Sequence, residues 1–372
     1  MAGTIPASQL TPVFTAARVA KYDELQEIKV NNFFASFFPA LPCPERYPVI
    51  DVRRGSEQVA VDIMRGHQGQ RVQISKFSQK AFDTFYYKFY TDLTELTGYF
   101  NVFGSTAFAV NEMATLANEA AVSDKAKSDM IKRAIEVQCA SVLENGTITS
   151  LRDSSIVDFK RQAGSMEDVS TMSGGQNSYW DAAGHNPFLD LRRGYDWLKT
   201  KGKYSGEIVH AIVGLHAWQA FRNNDVVKAR LGQFNNRRDV LMPSQRNSLG
   251  ADYQGMFDID GAMVQIWTYN DVYDTPTFDT NGNPITGGAS VPYMKTNKVY
   301  MTVDNPGFKT LYGAIPQVGP VGTNTSALIV GTEVFTRYAN PEGGYDRSYL
   351  QSAPLAVPIT VDRIYTATVT AS

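Results

Sequence analysis

Hydrophobic positions between Ser123 and Gly146 share one helical register: Met130, Ile131, Ala134, Ile135, Val142 and Leu143 recur at three- and four-residue spacings, an apolar stripe facing a core. Asn145-Gly146 supplies the stop. Glycine after the last helical residue takes a left-handed backbone without a side-chain clash, and Thr147-Ile148-Thr149 beyond it favours a strand. A helix filling this window is roughly 30 Å long, a spine for the chain. A helical run-up from Phe108 to Ala121 precedes it. Asp124 suits the positive end of the helix dipole, but Glu144 sits at the wrong end, so packing must hold this helix.

Upstream, Met1 to Pro44 reads as an arm, with Pro6, Pro12, a helical patch around Asp23 to Asn32, and then Phe33-Phe34-Ala35-Ser36-Phe37-Phe38-Pro39. Phenylalanines at this density require burial, either on a neighbouring subunit or within the same chain. Val49 to Arg54, Val59 to Met64 and Arg71 to Ser75 are β-prone, and Arg65-Gly66-His67-Gln68-Gly69-Gln70 has the glycines of a tight reversal. A two-stranded ribbon is marginal alone, so it requires a surface to lie on. Phe82 to Phe103 is aromatic but poor in basic residues, which suits core or interface better than base stacking.

Downstream of Ile156 to Phe159, a Ser, Gly and Asn-rich loop from Gly164 to Asn177 marks a boundary. Asn186-Pro187 predicts a capped helix start, with Phe188, Leu191, Tyr195 and Leu198 on one face and Gly202 as the end. A strand over Ile208 to Val213 runs into a helix through Trp218 and Phe221. Met263 to Tyr269, Lys298 to Asp304, Ala327 to Tyr338 and Ile359 to Val369 then read as strands, with Asp279 to Pro284 as a loop or hairpin tip. The class is α+β.

Composition narrows the function. The 372 residues suffice for two or three lobes, and 35 basic against 37 acidic side chains leave no electrostatic footprint for nucleic acid or an anionic membrane. Cys43 and Cys139 do not make a disulfide framework, and Cys139 reads as core. Met1 to Leu10 lacks the basic start and apolar run of a secretory signal, and no apolar stretch is long enough to span a bilayer, so synthesis in the cytoplasm is expected. Chemistry is sparse. His210 and His216 lack a third ligand at metal spacing; Asp279, Asn281 and Asn283 begin like a calcium loop that Pro284 and Ser290 spoil; no phosphate-binding loop, nucleophile elbow or dinucleotide fingerprint occurs. The pairs Arg53-Arg54, Arg192-Arg193 and Arg237-Arg238 read as salt-bridge partners. No catalytic residue, metal or cofactor is expected; the alternative enzyme reading places a site near His210, Arg237 and Asp258.

Taken in order, the pieces resemble the major capsid protein of tailed bacteriophages, most closely the lambda coat-protein type (major capsid protein E). Pro48 to Gly55 followed by Arg65 to Gly69 resembles that family's extended loop. Ala134 to Ile148 resembles the end of its spine helix, and Val157-Asp158-Phe159 the strand after it. Trp267, Tyr269, Tyr273, Pro292-Tyr293, Val299-Tyr300-Met301 and Tyr312-Gly313-Ala314 are similar to its axial domain, and Gln351 to Leu355 to its closing segment. The longer aromatic segment at Phe82 to Phe103 and a Thr275 to Ser290 insertion depart from it. The resemblance implies an HK-ninety-seven-type fold: an arm over 1–44, an extended loop and flank over 45–98, a peripheral domain with the spine over 99–174, an axial domain over 175–325, and strands over 326–372 returning to the peripheral domain. It also implies a non-enzymatic, virion-located shell protein. Such a subunit forms hexamers and pentamers with itself, works with a scaffolding protein, a portal and a decoration protein, and touches packaged double-stranded DNA weakly and without sequence specificity. Intersubunit contacts are expected at Phe33, Phe34, Phe37, Phe38, Arg53, Arg54, Arg65, Gly66, His67, Gly69 and Arg71. An encapsulin-like nanocompartment shell is the alternative with the same fold.

Overall fold

Helix α1 runs from Glu112 to Asn145, 34 residues and about 51 Å, in the computed structural model of the chain. The structure describes residues 30–45, 49–54, 76–81, 84–94, 112–151, 154–206, 208–231, 240–278, 284–285, 288–318, 326–340 and 345–371. Run-up and spine are therefore one helix. Asp124 lies inside it and not at a start, and it answers to side chains: Lys127 Nζ at 2.6 Å and the Ser348 hydroxyl at 2.9 Å. The glycine stop is where the sequence puts it, with Gly146 at φ +69° and its N–H donating to Val142 O at 2.9 Å. Ile131, Ile135, Cys139, Val142 and Leu143 are buried, but Met130 is 47% exposed. Neighbours on a helix are 100° apart, so Met130 and Ile131 cannot both face one narrow core. Glu136 and Gln138 occupy buried places on the same helix.

Alongside α1 lies an antiparallel sheet of Val334–Asn340, Tyr345–Ser352 and Tyr87–Thr94, in that order. Tyr87 and Phe89 pack toward the core of α1, whereas Lys88, Tyr90 and Asp92 alternate to the other side. Nearer its N-terminal end, α1 meets this sheet through polar groups, with Thr91 and Ser123 hydroxyls 2.6 Å apart and Lys127 Nζ donating to Ser348 O at 3.3 Å. The expected strand Ala327 to Tyr338 is two strands, Ser326–Ile329 and Val334–Asn340, because the chain turns at residues 330–333 around Gly331. A second small sheet orders Ala40–Pro42, Phe308–Tyr312 and Pro354–Pro358. Its last strand is buried throughout and ties to α1 through Ala356 N–H donating to Gln138 Oε1 at 3.2 Å.

Seven strands form the large sheet, ordered Met166–Asp168, Ile364–Thr368, Lys298–Val303, Ile208–Val213, Ala262–Thr268, Asp252–Ile259 and Val240–Arg246. Two ladders are parallel, Ile208–Val213 with Ala262–Thr268 and Met166–Asp168 with Ile364–Thr368. Strand alternation splits its apolar residues between two cores. Ile212, Tyr300 and Ile364 join the core beneath α1, while Val209, Ala211, Val213, Met301 and Tyr365 face helices α2 (Pro187–Thr200), α3 (Leu215–Asn223) and α4 (Asp225–Leu231). The predicted cap of α2 is present: the Asn186 side chain accepts from Phe188 N–H at 3.1 Å with Pro187 in the first turn. Gly194 lets α2 approach closely, since a Cβ there would lie 2.4 Å from Met301 Sδ and 2.8 Å from Tyr365 Cδ1. One expectation is corrected: the Gly164 to Asn177 loop contains the edge strand Met166–Asp168, which pairs with the final strand Ile364–Thr368 in the large sheet.

Candidate functional site

The leading aromatic run does not wait for a neighbour. Phe34–Phe37 is a 3-10 turn, and Phe33, Phe34 and Phe38 are 3%, 0% and 3% exposed within their own chain. Phe34 meets Tyr269 edge-on at 5.0 Å, Phe33 lies 5.7 Å from Trp267, and Phe38 lies 4.9 Å from Phe308. Phe37 is partly buried, edge-on to Phe33 and to the ring of His210. Phe33, Phe34 and Phe38 thus find their burial within the chain itself, where α1 meets the large sheet, while Phe37 keeps part of its surface exposed. The strand Ala40–Pro42 continues the docking by pairing with Thr310–Tyr312.

Glu136 holds the turn from below. It is fully buried on α1, and its two oxygens accept the N–H groups of Phe34 at 2.7 Å and Ala35 at 2.9 Å. Phe33, in the capping position, offers no side-chain acceptor, so a carboxylate 102 residues away caps the turn. Burial pushes the Glu136 carboxyl up to about 7, against the pull of those two amides and the Tyr269 hydroxyl.

The other predicted contacts fall on the ribbon. Val49–Arg54 pairs with Lys76–Ala81, Arg53 opposite Phe77 and Arg54 opposite Lys76. Arg65, Gly66, His67, Gly69 and Arg71 lie outside the described residues, as do the expected strands at Val59 to Met64 and Arg71 to Ser75.

At the far end of α1, Arg161 gathers three elements. Its guanidinium donates to Leu143 O at 2.9 Å and Glu144 O at 3.0 Å on the helix, to Ser165 O at 2.8 Å, and to Thr366 Oγ1 at 3.2 Å in the large sheet. Lys298 Nζ pairs with Glu144 at 2.7 Å. Two cations thus meet the negative end of the helix, and the misplaced charge of Glu144 is answered. Burial lowers Arg161 to about 10, still cationic at neutral pH.

His210 and Asp258, which the enzyme alternative names, are engaged separately. His210 Nδ1 accepts from Trp267 Nε1 at 3.3 Å, and burial lowers the His210 pKa. Asp258 instead accepts Gly261 N–H in a turn at 2.8 Å, and Arg237 lies outside the described residues. Sequence reasoning missed a different trio. Ser178 Oγ is 2.9 Å from His185 Nδ1, His185 Nε2 is 2.7 Å from Asp190 Oδ2, and Trp180 Nε1 donates to the same oxygen at 2.8 Å. The order matches a hydrolase relay, but the imidazole is enclosed and its pairing is reversed, with Nδ1 toward the serine and Nε2 toward the carboxylate. Asn224 Nδ2 adds bonds to Trp180 O at 3.0 Å and His185 O at 2.9 Å, so the cluster fastens the 176–186 loop to α2 and to the α3–α4 junction. Among the described residues no group of His, Cys, Asp and Glu side chains is arranged to hold a metal, and no helix is long and apolar enough to cross a membrane.

Comparison with known proteins gives this architecture its context. A search of curated proteins returns no match. Among solved structures, a protein described as a prophage capsid protein, from E. coli CFT073, superposes with a TM-score of 0.60 at 12% identity, covering 99% of this chain and 100% of its own. A phage-related protein from Bordetella bronchiseptica RB50 reaches 0.49 at 8% identity, over 98% and 97% of the two chains. The holo-SrpI encapsulin complex of Synechococcus elongatus PCC 7942 reaches 0.41 at 9% identity, over 94% of each, too distant to carry an argument. The first of these shows a shared fold, the HK97-like capsid fold. The family model for phage major capsid protein E matches residues 27–369, nearly the whole sequence, and this chain belongs to that family.

Proposed function

We propose that this chain is the shell subunit of a tailed-phage head, closing an icosahedral lattice of hexamers and pentamers around double-stranded DNA. The observation that carries the reading is the family match over residues 27–369, on a fold where one long helix joins a flanking sheet to a seven-stranded sheet and a two-stranded ribbon is paired away from both. The ribbon at Val49–Arg54 and Lys76–Ala81 and the segment between its strands are the parts assigned to neighbouring subunits, Arg53, Arg54, Arg65, Gly66, His67, Gly69 and Arg71 included. A scaffolding protein directs closure, a portal takes one vertex and a decoration protein binds outside. Contact with the genome is weak and unspecific, which a formal net charge of −2 supports, since a strongly basic lining would hold the polyanion during packaging. In this reading the chain is made in the host bacterial cytoplasm, resides in the virion, and its task is mechanical.

The test is to express the full chain with and without its phage's other head proteins, then apply negative-stain microscopy and sedimentation. Closed shells with hexameric and pentameric units are expected, and nuclease-resistant double-stranded DNA in particles from infected cells. Particles filled with one protein cargo and no nucleic acid would favour the nanocompartment alternative. A chain that stays a small oligomer under every condition would refute both.

A further inference from the structure

Glu136 combines full burial, two backbone amides from a distant segment, and no described cationic partner. The groups facing it come from every element packed around it. On α1 these are the buried Cys139 and, one turn earlier, Arg133, which acts on Tyr293; from the chain after strand Ala262–Thr268 they are Tyr269, whose hydroxyl faces the carboxyl and donates to Asn31 O at 3.4 Å, and Asp271, of the same sign; the Tyr293 hydroxyl lies beyond. The fourth wall is the leading segment itself. Phe33 and Phe34 lie against Tyr269, Ser36 Oγ closes the turn onto Phe33 O at 2.6 Å, and Asn31 bonds Asp271.

We propose that Glu136 is a proton-linked clasp for residues 31–38: docking of this segment on α1 keeps the carboxyl from water, so release of the segment and ionisation of Glu136 favour each other. The direction follows from linkage. Docked, the carboxyl titrates at about 7; with the segment lifted and water admitted, it returns toward its ordinary 4.5. The docked form holds its proton more tightly, so docking strengthens as pH falls through 7 and gains nothing further below the released value. At pH 8.5 both forms are ionised, and the buried charge is stabilised only by two amide dipoles and a phenol. The clasp reports to both halves of the molecule, because α1 supplies the acceptor while Tyr269 and Asp271 extend from the large sheet.

The experiment is hydrogen exchange on the full-length chain at one assembly state, checked by sedimentation, with peptides covering residues 33–38 and rates corrected for intrinsic pH dependence. Protection of these peptides is expected to rise about tenfold from pH 8.5 to pH 6. Glu136→Gln, which keeps one acceptor oxygen and cannot ionise, should hold them with a flat profile. Tyr269→Phe removes a bond to the ionised form, so its midpoint should move to higher pH. A flat or reversed wild-type profile, or a Glu136→Gln profile as steep as wild type, would overturn the proposal. Should Glu136→Gln fail to fold, a Tyr269→Phe midpoint that stays put or moves down would do the same.

Discussion

Replacing Arg161 with methionine isolates what the end of the long helix requires. The substitution keeps an unbranched side chain of similar length and removes every donor. Leu143 O retains the Thr366 hydroxyl at 2.8 Å, but Glu144 O and Ser165 O lose the donors that Arg161 gives them. An enclosed acceptor left unpaired costs about 1–3 kcal/mol. Loss of a cation at a helix C-terminus adds about 0.3–1 kcal/mol, more where the site is partly buried. Relief of the burial that lowers the Arg161 pKa offsets part of this. The balance is a loss of about 2–4 kcal/mol, read as a lower urea midpoint of the unassembled chain by tryptophan fluorescence. Arg161→Lys should lose nearly as much, because one ammonium cannot fork between the helix, Ser165 and Thr366. A methionine variant within about 0.5 kcal/mol of wild type, which is the scatter of neutral surface changes, or a lysine variant equal to wild type, would refute the forked-capping account. A double-mutant cycle sharpens it. At Gly146 a Cβ would sit 2.3 Å from Arg161 Cδ at φ +69°, so Gly146→Ala should cost markedly less beside Arg161→Ala, where only the left-handed backbone strain remains.

Three further outcomes follow from the packing. Phe34→Ala should destabilise the chain by about 3–5 kcal/mol in the same assay, since its fully enclosed ring contacts Tyr269 and Tyr300; a loss under about 1 kcal/mol would return the aromatic run to an intersubunit role. Gly194→Val should drive the chain into the insoluble fraction, because Met301 and Tyr365 leave α2 no room for a side chain; soluble, shell-forming protein would contradict that geometry. Asp190→Asn deprives Trp180 Nε1 and His185 Nε2 of a charged acceptor, and should lower the free energy of unfolding by about 1.5–3 kcal/mol with altered near-ultraviolet dichroism; an unchanged spectrum and stability would remove its role as a fastener.

The chain's own text determined the features that local chemistry decides. Glycine at 146 ends the spine where a left-handed residue is required, and Asn186-Pro187 starts α2 with the expected cap. The strands at Ile208–Val213, Ala262–Thr268 and Lys298–Val303 follow from β-branched and aromatic runs, and the ordered set of segments pointed to the family that residues 27–369 match. Tertiary structure decided the rest. Burial demand is legible in four phenylalanines, but the surface that meets it is not: it is built from Trp267, Tyr269, Tyr300 and Phe308, hundreds of residues on, so an aromatic run bound for a neighbour and one packed on its own chain read alike in sequence. The same holds for Glu136 with Phe34, Arg161 with Thr366, and Asp124 with Ser348. A charge on a helix looks like a solvated face until its partner is known, and these partners come from elements that only packing brings together, where low dielectric makes each unpaired group costly enough to determine the arrangement.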